Sequence, residues 1–309
     1  MIAVNVNAGL ANQMFHYAFG RGLINKGYDV FFDQINFRYR KEWIFENIRL
    51  QDAFPNIEIK EMPKGKFKWI CIHETNKVSK GLRLIMINFH NLIGDEKYIF
   101  ETDYGYISDI EGKITKNCIL KGFWQSEKYF AHCKDDIRKQ FSFLPFDEKK
   151  NIAIMNKMKK ENSVAIHLRK GADYLQSELM GKGLCGVEYY IKAIEYIKQN
   201  VDNPVFYVFT DNPEWVKNNL PKFDYILVDW NEVAGKKNFR DMQLMSCAKH
   251  NIIANSTYSW WGAWLNPNPN KIVSKSSPYP TYISLSEKSS PISSFNFSIS
   301  VGIIFLLPL

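Results

Sequence analysis

The sequence contains no Cys-x-x-Cys pair. Its five cysteines (Cys71, Cys118, Cys133, Cys185 and Cys247) are odd in number and widely spaced. Neither a zinc ribbon nor a disulfide framework is indicated, and buried free thiols in a reducing cytoplasm are the expectation. No apolar run reaches the ~18 residues of a membrane-spanning helix. The best stretch, Leu82 to Ile93, is interrupted by Arg83, Asn88, His90 and Asn91. Met1 leads directly into the strand-like IAVNV, so no secretory signal is expected and the expected location is cytoplasmic, at most peripheral at the inner membrane face. A Walker A sequence is missing, which argues against a P-loop ATPase or sulfotransferase. HExxH and GxSxG are missing too. No Asp-x-Asp occurs, so the usual carboxylate pair that holds a metal-bound sugar nucleotide is absent.

What is present is ordinary for a folded enzyme. The chain has 309 residues, 46% hydrophobic and 23% charged, which argues against disorder, collagen and coiled coil. That length allows two domains or one large one and buries roughly 75% of the unfolded surface. Eight Trp, 16 Tyr and 22 Phe suit nucleotide or sugar sites, although most aromatics serve the core. The net charge of +8 divides evenly: residues 1–150 hold 23 basic and 19 acidic groups, and residues 151–309 hold 17 and 13. A nucleic-acid arm would concentrate such charge in one place. An anionic small substrate or a loose membrane association remains compatible with it.

Apolar β-rich runs alternate with helical stretches, which predicts an α/β protein. The first series has strands at Ile2–Val6, Val30–Asp33 and Cys118–Leu120, with helices over 12–25 and 127–140. Residues 36–116 match nothing specific and are expected to hold several helices. A second series starts near Ser163. It has strands at 163–168, 205–210, 225–228, 251–254 and 271–274, and helices at 188–199, from Pro213, at 239–248 and at 258–265. The apolar stripe Tyr190, Ala193, Ile194 and Ile197 marks the first of these helices. Two Rossmann-like domains are expected, 1–150 and 151–285, with a boundary in the charged run near 144–160. Residues 286–309 form an atypical tail.

Ligands of open parallel sheets bind at strand ends, and four such ends carry polar residues. After the first strand, Gly9 permits a tight turn, Asn12 and Gln13 suit sugar hydroxyls, and a helix start offers free amides; a simple capped helix start is the bland alternative. In His167-Leu168-Arg169-Lys170-Gly171-Ala172-Asp173-Tyr174, alternation puts His167 and Arg169 on one side. Arg169 presents a fork for two phosphate oxygens, with Lys170 adding charge. The alternatives here are an Arg169–Asp173 surface ion pair and a core histidine. Asp211, in Phe209-Thr210-Asp211-Asn212-Pro213, either caps the next helix or accepts from a base or ribose. Asn255, Ser256, Thr257 and Ser259 would aim polar groups and helix amides at a phosphate. Trp260, Trp261 and Trp264 are expected in the core.

Together these stretches resemble the bacterial alpha-1,2-fucosyltransferases, family eleven of the glycosyltransferases. Gly9, Asn12, Gln13, Met14, Phe15, Tyr17 and Ala18 match its opening pattern. His167, Arg169, Gly171, Asp173 and Tyr174 match its second. Cys185 with Tyr189-Tyr190, then Phe209-Thr210-Asp211, follow in order. Leu244-Met245-Ser246 through Asn255-Ser256-Thr257-Tyr258-Ser259-Trp260-Trp261-Gly262-Ala263-Trp264-Leu265 is the most specific match.

The resemblance implies an α/β protein of GT-B type, two Rossmann-like domains with the active site in the cleft between them. It implies inverting transfer of L-fucose from GDP-β-L-fucose to the 2-hydroxyl of a terminal β-galactoside, without a metal or other cofactor, in the synthesis of a surface polysaccharide or oligosaccharide. Arg169 would take the diphosphate with His167 beside it. Lys170, Asp211, Asn255, Ser256, Thr257 and Ser259 would hold the donor. Gly9, Asn12, Gln13 and Asp33 would face the diphosphate or acceptor. Asp173, Asp33 and His16 are the alternatives for a general base, and residues 36–116 would shape the acceptor site. Two features depart from the family. Lys170 and Ala172 stand where commoner members read His-x-Arg-Arg-Gly-Asp-Tyr. Residues 289–309 carry no charge and end VGIIFLLPL, which suggests a frameshifted or disordered C-terminus. Competing readings are a transferase of another linkage or nucleotide sugar, and a non-catalytic glycan-binding relative; no nucleic-acid partner is expected, and the oligomeric state is open.

Overall fold

The computed structural model describes residues 1–34, 48–63, 77–93, 97–101, 105–171 and 185–275. Asp173, Tyr174, Cys71 and the 286–309 tail therefore lie outside the described residues. The chain divides into a first unit, Met1–Ser142, and a second unit beginning at Phe143.

The first unit holds β1 (Ile2–Asn5), α1 (Leu10–Asn25), β2 (Val30–Asp33), α2 (Leu50–Ala53), α3 (Lys77–Ile93), β3 (Lys97–Phe100), α4 (Ile110–Lys113), β4 (Cys118–Lys121) and α5 (Lys134–Gln140). Its four strands run parallel in the order β2-β1-β4-β3. Apolar strands such as Ile2-Ala3-Val4 are buried throughout, as strands covered on both faces must be. α1 packs closely because Gly20 and Gly22 carry no side chain. A Cβ on Gly20 would fall 2.5 Å from the Phe32 ring, and one on Gly22 would fall 2.4 Å from the Tyr129 carbonyl oxygen. Phe19 stacks on Trp124 at 4.2 Å.

The second unit holds α6 (Lys149–Lys160), β5 (Asn162–Leu168), α7 (Val187–Asn200), β6 (Pro204–Thr210), α8 (Pro213–Asn219), β7 (Tyr225–Val228), α9 (Arg240–Ser246), β8 (His250–Ile252), α10 (Thr257–Leu265) and β9 (Val273–Ser274). The strands are again parallel, in the order β7-β6-β5-β8-β9. Tyr190, Ala193, Ile194 and Ile197 pack α7 against Val164, Ile166 and Phe206. Trp260, Trp261 and Trp264 are core residues, as expected, at most 2% exposed and packed on one another at 4.8–6.2 Å. Cys118, Cys133, Cys185 and Cys247 are free thiols. Among the described residues no helix is long and apolar enough to cross a membrane.

Candidate functional site

Where strand order reverses in an open parallel sheet, the loops leave a crevice at the carboxyl ends. In the second unit that point lies between β5 and β8. His167 lies at the end of β5 and Arg169 and Lys170 in the turn after it, while Asn255 and Ser256 lie between β8 and Thr257 at the start of α10.

Register builds the centre of the site. β5 pairs with β6 so that Leu168 faces Thr210, and one step further Arg169 faces Asp211. The two side chains form an ion pair, Arg169 Nη1 to Asp211 Oδ2. The other Asp211 oxygen accepts from the Lys170 amide at 2.6 Å, and Asn212 Nδ2 donates to the Lys170 carbonyl at 2.9 Å. The Asp211 carboxylate, expected to accept from a base or ribose, thus fixes the turn that carries Arg169. The helix cap is Asn212, whose side chain accepts from the Trp215 amide at 3.0 Å, ahead of Pro213. An Asn directly before a proline at the first helical position was a readable cap signal.

Lys170 differs from expectation as well. It is buried, with its ammonium 2.8 Å from the Cys185 carbonyl and 4.4 Å above the Trp215 ring. Burial lowers its pKa. It props the turn from below instead of adding charge to a diphosphate. Ser259 is likewise internal: fully buried, it donates within its own turn, with the Ala254 and Ser256 carbonyls each 3.2 Å away. Ser256 caps α10, accepting from the Tyr258 amide at 3.3 Å. Asn255 and Thr257 stay half-buried beside that helix start.

His167 is buried 5.6 Å from the Tyr258 ring. Its Nδ1 is enclosed with no protein hydrogen-bond partner. Burial, with the neighbouring Arg169 charge, lowers its pKa to about 3, so the ring is neutral at neutral pH. Tyr258 accepts from the Met242 amide at 2.9 Å and donates to the Asn238 carbonyl at 2.6 Å. The same cluster holds a carboxyl that the sequence reading missed. Asp241, in the first turn of α9, accepts from Asn231 Nδ2 at 2.7 Å, and burial of its carboxyl pushes it up to about 7. Arg240 beside it is buried and clamps the 144–148 segment through Asp147 (2.7 Å) and Glu148 (3.2 Å).

In the first unit the order reverses between β1 and β4. The turn after β1 is made by Ala8, at φ +62°. Gly9 has φ −65° and ψ 161°, an extended conformation open to any residue, so the tight turn expected of Gly9 belongs to Ala8. Gly9 leaves open space at the start of α1, since a Cβ there would meet nothing within 4 Å. The turn after β4 holds Trp124, also left-handed at φ +52°. Bulky residues rarely adopt this region, and such outliers cluster at functional sites. The Glu101 carboxylate holds that turn, accepting from the Phe123 and Trp124 amides at 2.6 and 3.1 Å.

The two turns are joined by Gln125 Nε2, which donates to Asn12 Oδ1 at 3.1 Å. Gln13 does not present itself to a sugar. It is fully buried, and its Nε2 donates to the carbonyls of Ala8 (2.8 Å) and Ile48 (3.0 Å). Asp33 is 3% exposed and accepts from Asn5 at 2.7 Å. His16 is fully buried, its Nδ1 accepting from the Asn7 amide at 3.3 Å, and burial lowers it to about 3. Neither Asp33 nor His16 is an exposed proton acceptor. Among the described residues no cluster of three or more His, Cys, Asp or Glu is arranged to hold a metal ion.

The two histidines make stability acid-sensitive. Each has a folded pKa near 3, below the ordinary ~6.5 of the unfolded chain. The unfolded state therefore binds the extra proton first. The stability contribution is complete above about pH 6.5 and is lost as pH falls toward 3, with a limiting slope of roughly 1.4 kcal/mol per pH unit for each ring. Asp241, pushed up to about 7, works in the opposite sense because the folded state takes up its proton first, and it offsets one ring between about pH 7 and 4. Urea midpoints are therefore expected to fall over that range with the slope of the remaining ring, more steeply in Asp241→Asn and more shallowly in His167→Asn. A flat wild-type profile would contradict buried, neutral rings.

The family model described as Glycosyl transferase family 11 matches residues 70–282. An alpha-1,2-colitosyltransferase of Escherichia coli is 38% identical over 170 residues, covering 54% of this chain and 57% of that protein. The O-antigen biosynthesis glycosyltransferase WbnK of Escherichia coli is 44% identical over 117 residues, covering 36% of this chain and 37% of that protein. A galactoside alpha-(1,2)-fucosyltransferase 1 of Leontocebus fuscicollis is 26% identical over 157 residues, covering 47% of this chain and 42% of that protein. The chain thus spans about half the length of the curated relatives it matches. The family match runs through more than half of the chain and includes the β5, β6 and β8 turns, and the chain belongs to glycosyl transferase family 11.

Proposed function

We propose that this protein is an inverting alpha-1,2-fucosyltransferase, moving L-fucose from GDP-β-L-fucose to the 2-hydroxyl of a terminal β-galactoside. The observation that carries the reading is the arginine held by Asp211 at the strand-order reversal of a parallel sheet, inside the family match. As the sugar–phosphate bond breaks, the anomeric carbon becomes oxocarbenium-like and negative charge builds on the diphosphate. Stabilising that charge is the main electrostatic task, and a guanidinium fork suits it. The start of α10, capped by Ser256, adds amide donors. Neutral His167 offers a polar ring beside the same turn. Asp241 supplies carboxyl oxygens of the kind that guanine's adjacent N–H donors need, a role first expected of Asp211. Asp173, shortly after the turn in sequence, is the proposed general base for the attacking hydroxyl.

The donor has one specific rival. The likeness to an alpha-1,2-colitosyltransferase favours colitose, which is L-fucose without its 3-hydroxyl, as the second reading. Incubation with lactose and either GDP-fucose or GDP-colitose, in the presence of EDTA, separates the two. GDP release and 2'-fucosyllactose from the first donor are expected. Turnover of GDP-colitose alone would replace the reading, and no turnover of any nucleotide sugar by a folded sample would point to a glycan-binding relative.

A further inference from the structure

α6 gives one of its two buried positions to a polar side chain. It buries only Asn151 and Met158, and Asn151 is fully enclosed. A buried amide needs hydrogen-bond partners, and two of the three found here lie far along the chain. Trp230 Nε1 donates to Asn151 Oδ1 at 2.8 Å. Asn151 Nδ2 donates to Asn231 Oδ1 at 2.8 Å and to Glu148 Oε2 at 3.3 Å. Asn231 Nδ2 in turn donates to Asp241 Oδ1 at 2.7 Å. The chain of bonds runs from the segment after β7 through α6 to the first turn of α9.

Chemistry fixes the direction of every link. An indole N–H can only donate, and an ionised carboxylate can only accept. Trp230 therefore takes the oxygen of Asn151. Glu148, which is ion-paired to Lys237 and Arg240, takes its nitrogen. Asn151 then draws the oxygen of Asn231 toward itself, which leaves Asn231 an N–H to offer Asp241. That bond favours the ionised carboxyl against the burial that raises its pKa. Asp241 Oδ2 takes no hydrogen bond from any described residue, and the residue is only half-buried. The result is a carboxylate held as an acceptor, with one oxygen tied and the other open.

We propose that Asn151 and Asn231, oriented by Trp230, are positioning residues that set nucleobase selectivity by keeping Asp241 an acceptor for the adjacent N–H donors of guanine. The inference rests on the guanine role proposed above for Asp241. GDP is common to both candidate donors, so it holds for either sugar. On the same edge adenine presents a ring-nitrogen acceptor and a C–H, which a fixed acceptor rejects. Hypoxanthine keeps the ring N–H and lacks the amino group.

The test is calorimetric titration of the full chain with GDP, inosine diphosphate and ADP. The wild type is expected to bind GDP about tenfold more tightly than inosine diphosphate and about a hundredfold more tightly than ADP. Asn231→Ala removes the donor to Asp241. Asn151→Leu fills the buried space and frees the Asn231 amide to turn. Each is expected to lower GDP affinity about tenfold, to leave ADP affinity within about twofold, and so to narrow the GDP preference. A urea midpoint shows whether each variant is folded. Asn231 is half-buried, so its variant carries the test if the enclosed Asn151 position rejects leucine. A folded variant with the wild-type preference, or one that loses affinity for all three nucleotides alike, overturns the proposal. A wild type without a preference for GDP, or an Asp241→Asn variant that keeps it, overturns instead the guanine role of Asp241, and the proposal with it.

Discussion

Replacing Arg169 by alanine is expected to lower kcat/KM for the nucleotide-sugar donor by about 10²- to 10³-fold, the cost of removing one preorganised donor to a developing anion. The loss should fall mainly on kcat, because the charge on the departing diphosphate is greatest in the transition state. Arg169→Lys restores the charge without the planar fork and is expected to recover only part of the rate. The turn should survive the change, since Asp211 still accepts from the Lys170 amide and Asn212 still donates to the Lys170 carbonyl. Steady-state kinetics with GDP-fucose and lactose, alongside a urea midpoint, provide the check. An alanine variant that is folded and within about threefold of wild type would remove Arg169 from the reaction.

Asp211→Ala is expected to produce the larger loss of stability. The Asp211 side chain is 7% exposed and that of Arg169 is 17% exposed. Deleting the carboxylate leaves a largely enclosed guanidinium without this partner and the Lys170 amide without its acceptor. Breaking a buried pair from one side costs roughly 3–5 kcal/mol, enough to shift the urea midpoint clearly with little change in slope. Asp211→Asn keeps an acceptor for the amide and removes only the charge. It should recover part of the stability while leaving turnover low, because the arginine is no longer aimed. An Asp211→Ala protein as stable as wild type would show that the pair does not organise the turn.

Much of this was legible in the sequence, for physical reasons that differ along the chain. Val30–Asp33 and Tyr225–Val228 were read to the residue, and β5 and β6 within one, because buried parallel strands are short apolar runs bounded by turn residues. In sequence α6 reads only as a charged run: it buries only Asn151 and Met158, seven residues apart, and such a narrow stripe is hard to see among five lysines. α3 and β3 went unplaced because most of their apolar residues do not enter the core. The strand-end residues named from the sequence do lie at the sheets' carboxyl ends, but several of their side chains have structural partners that the sequence does not show. Composition cannot tell a carboxylate that binds a ligand from one that aims an arginine, so the Asp211–Arg169 pair is not readable from it. Nor can it show that Lys170 points inward, that Gln13 ties down Ala8, or that Asp241 lies beside the Tyr258 cluster. Each depends on backbone course, strand register or helix packing that composition does not carry.

The lock on residue 170 has a consequence for how this site can change. Both its amide and its carbonyl are pinned to the β6 turn, so the position of Arg169 is set independently of the sequence that follows. Residues added or deleted beyond that point, such as the extra Ala172, therefore leave the guanidinium where it is. Laboratory diversification that starts after Asp173 would vary the downstream sequence without resampling the charge that drives the departure of the leaving group.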